Sequence, residues 1–407
     1  MIDLVERCVC CGDWPLEMVL DLGFSPPSCS MQRIDCIPGE EMFYPLVLLR
    51  CGECSLVQLS CAVDPHRVFH VDYPYSSGNS PQLRDHFGEL ARTITEGANP
   101  PGADDVVVDI GANDGTLINN FKDCRTVAVE PTNQILRCEA DRNIQAFFNE
   151  EIARSIVAQD GRVSLVLACN VLAHVKDIHG VLDGIRVLLG DSGVLVAENH
   201  DLSSIVDGGQ WDTVYHEHLR YYDPFSFAEL LAPHGLFVWR CHPVDTHGGS
   251  FRAYVSTSES GSRSMPQRDY DWQGLRARAS HARAHLRSAV SSRRAGGERV
   301  VGVGATARAS TIIGYCGLSR EDLDCVYEVP GSGKIEHYMP GTLIPVWNEN
   351  NLFFEPHQPD AALLFSWHLK DRIVPKLRER GYAGDIIVPL PELENLRLPL
   401  SDVRRVS

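Results

Sequence analysis

Residues 105–117 read DVVVDIGANDGTL. A run of β-branched residues, Asp105–Ile110, ends directly in a Gly-rich turn, and that order predicts a buried strand followed by a tight loop and a helix. The glycines let the backbone turn sharply and come close to a ligand. The spacing Asp109-x-Gly111-x-x-x-Gly115 is not the GxGxxG pyrophosphate fingerprint. A loop of this kind instead suits the methionine and ribose parts of S-adenosylmethionine better than NAD. The next apolar run, Arg125–Val129, ends at Glu130-Pro131, and an acid at that place accepts ribose hydroxyls. A generic α/β turn without a ligand is the plain competing reading of the loop alone.

Working outward, Ser164–Ala168 and Gly193–Ala197 read as further buried strands, with an amphipathic segment at Ile178–Leu189 between them. Strand–helix alternation of this sort predicts a parallel, doubly wound α/β sheet. Residues 226–235 read as a helix, with strands at 236–240 and 251–255. The Ser/Gly-rich stretch 256–268 reads as a connection, and the Arg/Ala-rich stretch 270–294 as a bridging helix. Alternation restarts at 299–302, 323–327, 361–365 and 385–388, which predicts a second, smaller Rossmann-like domain.

Cysteine is unevenly placed. Eight of the 14 lie before residue 62. Cys8-x-x-Cys11 and Cys51-x-x-Cys54 are two knuckle-type pairs flanking a strand-like segment, Phe43–Leu49. Each pair sets two thiolates on one tight turn, so together they make a four-sulfur zinc site with no open position, structural rather than catalytic. Cys10 falls outside the paired spacing. The expected organisation is a zinc head at 1–75, a central S-adenosylmethionine-binding Rossmann-like domain at 76–268, and a helix with a C-terminal Rossmann-like domain at 269–407.

The whole chain has 407 residues and a net charge of −17. That charge opposes broad contact with a nucleic-acid backbone. No apolar run is long enough to span a bilayer, and the first ten residues lack a signal-peptide pattern. A cytoplasmic protein acting on a small molecule, with no nucleic-acid or membrane partner, is expected. Oligomeric state is left open.

Residues 210–222 read QWDTVYHEHLRYY. Histidine can take a proton from carbon beside a carbonyl, and tyrosine can donate to the oxygen that gains charge. HEH is not the HExxH of a zinc protease. His174 follows the third strand, at the carboxyl edge where α/β enzymes bind ligands. Thr246–Arg252 (THGGSFR) is a further Gly-rich polar turn, in which Arg252 could meet an anion.

These motifs together resemble the zinc-containing sugar C-methyltransferases of deoxysugar biosynthesis. The resemblance runs nearly end to end: both CxxC pairs, DYPYSS (72–77), VDIGANDGTL (108–117), VEP (129–131), CNVLAHV (169–175), YHEH (215–218), THGGSFR, VGVGATARAST (301–311), YCG (315–317) and PGTLIPV (340–346). It implies S-adenosylmethionine-dependent methylation at C3 of a nucleotide-diphospho-4-keto-deoxyhexose. His218 would be the base; Tyr215 and His174 would stabilise the enolate oxygen or orient the sugar; Glu217 would position the histidine. Tyr75, Ser77, Asp109, Gly111, Asn113, Gly115, Glu130, Pro131 and Asn170 would hold the cofactor. Tyr222, His247, Arg252, Arg308, Ser310 and Glu328 would meet the substrate. The chain departs from the family pattern at Arg308-Ala309-Ser310, usually Lys-Gly-Asn, at Glu328, usually Asp, and at Leu343, usually His. All three departures fall where the nucleotide-sugar would be held. The competing readings are the same cofactor with another acceptor, carbon or heteroatom; a zinc-ribbon binding protein; and an NAD oxidoreductase using GVGATA (302–307).

Overall fold

The computed structural model describes residues 3–354 and 358–397. Its centre is a seven-stranded sheet. The spatial order is Phe237–Val244, Ser250–Ser256, Val194–His200, Val163–Cys169, Val106–Ile110, Arg125–Val129, Arg142–Ile144. The last five are parallel and the first two form an antiparallel pair at one edge. Val106–Ile110 is buried at every position, as a strand covered on both faces must be. The expected doubly wound sheet is present, with one correction. It is mixed, because the turn Asp245–Gly249 returns the chain directly into a neighbouring antiparallel strand.

The helix Ile178–Leu189 falls on the predicted residues. Asp177 caps its first turn and Gly190, at positive φ, ends it. Its buried face includes Ile178, Val181, Leu182, Ile185 and Leu188, each stabilising by roughly 1.5–3 kcal/mol. The helix expected after the Gly-rich loop does not form. Only a single 3-10 turn, Ile118–Asn120, lies there. The Asn120 side-chain amide bonds the carbonyls of Thr116 and Leu117, and Arg125 already begins the next strand. Side-chain bonds of this kind compete with helix formation.

The second α/β unit is a six-stranded sheet ordered Val346–Asn348, Val326–Glu328, Val300–Val303, Ala361–Leu364, Asp385–Val388, Glu394–Leu396. Only the last strand is antiparallel. The helix Trp272–Ala295 leads into it. Its arginines fasten the three parts together: Arg276 reaches Val19 O, Arg278 Val206 O, and Arg287 Cys316 O.

The head is a sheet of Glu17–Ser25, Tyr44–Arg50 and Val57–Leu59, and its fourth strand, Arg220–Tyr221, is lent by the central unit, from between the strands Val194–His200 and Phe237–Val244 in sequence. A second pairing, Gln32–Arg33 with His337–Tyr338, ties the head to the C-terminal unit. Among the described residues no helix is long and apolar enough to cross a membrane.

Candidate active site

The three parts enclose a cavity of about 1350 Å³. Its walls include Gly111, Asn113, Glu130 and Asn170 from the carboxyl edge of the central sheet, Tyr75 and Ser77 from the segment that joins the head to the central unit, and Arg308 and His368 from the C-terminal unit.

Glu130 ends its strand with both oxygens directed at loops. Oε2 accepts from Asn113 N at 3.1 Å, and Oε1 accepts from Thr132 N and Oγ1 at 2.9 and 2.6 Å. Burial raises its pKa against these bonds. Gly111 and Asn113 both take positive φ, 71° and 51°. Ser77 N donates to Asn113 Oδ1 at 2.9 Å, so the segment that follows the head closes on the loop itself. Two expected cofactor residues are not in the wall. Asp109 is 3% exposed inside the strand, its carboxyl pushed well up by burial and then by Glu130. Gly115 serves the turn: its φ is 80°, and a side chain there would collide with Asn119 and Cys138.

On the opposite side, His218 Nδ1 lies 3.2 Å from Thr213 O and Nε2 lies 3.0 Å from the Tyr215 hydroxyl. A carbonyl only accepts, so Nδ1 carries the proton and Nε2 presents a lone pair. Burial, then the neighbouring His174, hold the His218 pKa well below its usual value. The ring is therefore neutral near pH 7. His174 Nδ1 donates to Glu217 O at 2.6 Å, and burial lowers its pKa too. Its Nε2 is therefore an acceptor, suited to a hydroxyl group and unsuited to an oxyanion. Tyr215 is the phenol that can donate, and burial keeps it protonated.

Glu217 is corrected. Its carboxylate does not touch His218. Oε1 accepts from Ser28 Oγ, Cys29 N and Cys29 Sγ at 2.8, 3.0 and 2.7 Å, while the buried Oε2 has no partner.

The expected substrate residues divide. His247 lines the cavity beside Asn170, with Nε2 3.4 Å from Asn170 Nδ2. Arg308 also lines it, but its guanidinium is already engaged by Gln210, Asp212 and the His247 carbonyl. Tyr222, Arg252, Ser310 and Glu328 are outside the wall. Tyr222 is fully buried with its hydroxyl on Leu172 O at 3.1 Å. Arg252 pairs with fully buried Glu198 at 2.5 Å, which also takes His86 Nε2 at 2.8 Å. Ser310 faces Ser28 O at 3.5 Å. Glu328 accepts from Ala305 N and Val329 N within its own sheet. Leu343 lies on a separate surface hollow with Glu41 and Tyr338. Sequence reasoning missed His86, His200, Lys334, His368 and Phe147, which line the cavity. Each is a lone residue far from any motif, so no local spacing marked it.

The four paired cysteines converge. Sulfur–sulfur separations are 3.4 Å for Cys8–Cys54 and 3.5 Å for Cys11–Cys51, and all four sulfurs lie within 4.8 Å of one another. A zinc–sulfur bond of about 2.3 Å puts tetrahedral edges at about 3.8 Å. The cluster fits that ion and leaves no open position.

Matches to known families tile the chain. Residues 8–69 match the family described as "Putative zinc binding domain", 83–240 "Methyltransferase domain", and 245–391 "C-methyltransferase C-terminal domain". C-methyltransferase NovU of Streptomyces niveus is 28% identical over 412 aligned residues, 95% of this chain and 96% of its own. The chain is thus similar, nearly end to end, to a C-methyltransferase with a zinc-binding head. It is an S-adenosylmethionine-dependent C-methyltransferase, and the methyltransferase match at 83–240 with the C-methyltransferase match at 245–391 removes the zinc-ribbon and NAD readings. Two solved structures align with part of the chain. Magnesium protoporphyrin IX methyltransferase of Synechocystis PCC 6803, with bound SAH, is 14% identical over 43% of this chain and 83% of its own, with a TM-score of 0.32. A SAM-dependent methyltransferase from Archaeoglobus fulgidus is 12% identical over 42% and 94%, with a TM-score of 0.33. Similarity at that level bears on neither acceptor nor chemistry.

Proposed function

We propose that this C-methyltransferase acts at C3 of a nucleotide-diphospho-4-keto-deoxysugar, in natural-product deoxysugar biosynthesis, through an enolate made by His218. The observation that carries the reading is the Tyr215–His218 pair: a neutral imidazole with its lone pair at Nε2, 3.0 Å from a phenol. A ketone acidifies the neighbouring C–H. His218 Nε2 takes that proton while the Tyr215 hydroxyl turns from the imidazole to the oxygen that gains charge. His174 Nε2 and the unpartnered Glu217 Oε2 accept sugar hydroxyls, and so orient the ring.

Bound S-adenosylmethionine supplies an electrophilic sulfonium methyl. Gly111 and Asn113 would hold its amino-acid end, Glu130 its ribose, and Tyr75 and Ser77 would cover it. Asn170 and Pro131 complete that wall. Zinc in the Cys8, Cys11, Cys51, Cys54 cluster holds the head together and takes no part in the reaction. Lys334 and Arg372 line the same cavity and offer positive charge for the diphosphate; Lys334 keeps two donors beyond its bond to Ala305 O, whereas the Arg308 guanidinium is held by Gln210, Asp212 and the His247 carbonyl.

The test uses deuterated water and a panel of nucleotide-linked 4-keto-6-deoxysugars. Enzyme-dependent deuterium at C3 without the methyl donor, and C-methylation with it, are expected. His218→Asn should bind S-adenosylmethionine normally and lose roughly 10²–10⁴-fold in turnover. Turnover near the wild-type value in that variant overturns the base assignment. Because the folded pKa of His218 is lowered, the base stays unprotonated as pH falls through about 6.5. The acid limb of kcat/KM is therefore expected below that value.

A further inference from the structure

His218 belongs to the central half of the cavity, yet its ring is set from the C-terminal half. Arg308 is the second residue of the helix Ala307–Cys316. Its Nη2 donates to Gln210 Oε1 at 3.1 Å and to the His247 carbonyl, and Nη1 lies 3.4 and 3.5 Å from the two oxygens of Asp212. The guanidinium stands 5.7 Å over the Trp367 ring, whose Nε1 donates to Asp212 Oδ2 at 2.6 Å. Asp212 is wholly buried and Arg308 nearly so.

Gln210 and Asp212 are in the turn that ends at Thr213. Thr213 N and Oγ1 both bond Gln210 O, at 3.1 and 2.8 Å. The Thr213 carbonyl then accepts from His218 Nδ1. On the next residue, Val214 O accepts from Thr311 Oγ1 at 2.9 Å, one turn along the same helix from Arg308. One helix of the C-terminal unit thus grips the chain on both sides of the carbonyl that selects the histidine tautomer.

We propose that Arg308 is a positioning residue for the proton-transfer step: by holding Gln210 and Asp212 it fixes the Thr213 carbonyl, and so keeps the proton of His218 on Nδ1 and the lone pair on Nε2. This rests on the assignment of His218 as base. A guanidinium suits the task because its rigid planar fork holds donors in fixed directions toward Gln210, Asp212 and the His247 carbonyl, whereas an ammonium is a compact, rotating point charge. Its removal would leave the Asp212 carboxyl buried without its cation, so the turn would rearrange. A histidine in the wrong tautomer is a poor base even when it remains in place.

The test uses the zinc-loaded full chain with ¹⁵N-labelled histidine, in the wild type, Arg308→Lys and Arg308→Met, with His218→Asn to assign the resonance. The wild type should show His218 as one Nδ1–H tautomer. Arg308→Met should show a mixture of tautomers and lose about 10–100-fold in kcat on the sugar panel, with KM and S-adenosylmethionine affinity within about threefold. Arg308→Lys keeps the charge and most of the bulk; it should fall between the two, and it carries the test if the methionine variant does not fold. An unchanged tautomer in the folded variants overturns the proposal. A raised KM with kcat and tautomer unchanged does so as well, and makes Arg308 a substrate ligand. Full turnover in His218→Asn would remove the base assignment and with it the catalytic part of the proposal, while the tautomer comparison still decides whether Arg308 orients the ring.

Discussion

Gly111 and Gly304 occupy the same loop in two different sheets. Gly111 N bonds Val129 O, and Gly304 N bonds Tyr327 O, both at 2.8 Å. Both glycines have positive φ, 71° and 91°. In each sheet a glutamate ends the neighbouring strand and accepts a backbone N–H from the loop: Glu130 from Asn113, Glu328 from Ala305. Yet Gly111 and Glu130 line the cavity, and Gly304 and Glu328 do not. The difference lies in what covers each loop. The first lies on the cavity wall with Tyr75 and Ser77 across from it, although a side chain on Gly111 would meet Val171 at 2.6 Å. The second reaches the cavity only beyond its turn, at Thr306 and Ala307: Lys334 Nζ bonds Ala305 O at 2.7 Å, and a side chain on Gly304 would stand 2.9 Å from Ser366 Oγ. A Gly-rich turn with an acid one strand away is thus a fold device first. It becomes a cofactor site only where a neighbouring part leaves room.

Three measurements break or sharpen that contrast. The largest effect is expected from the glutamates. Glu130→Ala should weaken S-adenosylmethionine binding by about 10²-fold, the worth of two charge-assisted hydrogen bonds, while Glu328→Ala should leave affinity in place and lower only thermal stability. Calorimetric titration with unfolding curves decides it, and equal losses of affinity would erase the distinction. The glycines come next. Gly111→Ala and Gly304→Ala both force a side chain into positive φ, a strain of about 1–3 kcal/mol each. Both should melt earlier, but only the first should lose cofactor affinity as well; if the second loses as much, its loop is a ligand site. The smallest effect on the cofactor is expected from the head. Cys51→Ser should release zinc, read with a thiol-independent metal assay, and destabilise the N-terminal part. The segment that closes the first loop, held by Ser77 N on Asn113 and Gly78 N on Asp114, should then hold the cofactor only a few-fold less tightly. A metal-free wild type with an unchanged melting curve would deny the head any such role.

Local patterns made much of this legible. DVVVDI, RTVAV and GVLVA are apolar at consecutive positions because strands of a sheet covered on both faces have no solvent side. The CxxC pairs were legible because each knuckle is four residues long, so spacing alone sets the sulfur geometry. The helix Ile178–Leu189 was bounded by its own cap and its own glycine. The helix expected after Gly115 was not excluded by pattern, since the Asn120 bonds that replace it depend on the conformation already reached.

The sequence by itself determined the strands, the first loop with its acid, the four thiolates and the YHEH cluster, because each is settled by neighbours within a few residues. Tertiary structure alone decided which of two similar loops faces a cavity, that Arg252 is committed to Glu198 and Tyr222 to the core, that Glu217 answers to Cys29, and that Arg308 reaches the turn behind His218. Those assignments depend on contacts between residues as far apart as 189 positions, Ser28 and Glu217. Spacing along the chain carries no record of such contacts, because they form only when separately specified elements pack and each buried polar group takes the partner left within reach.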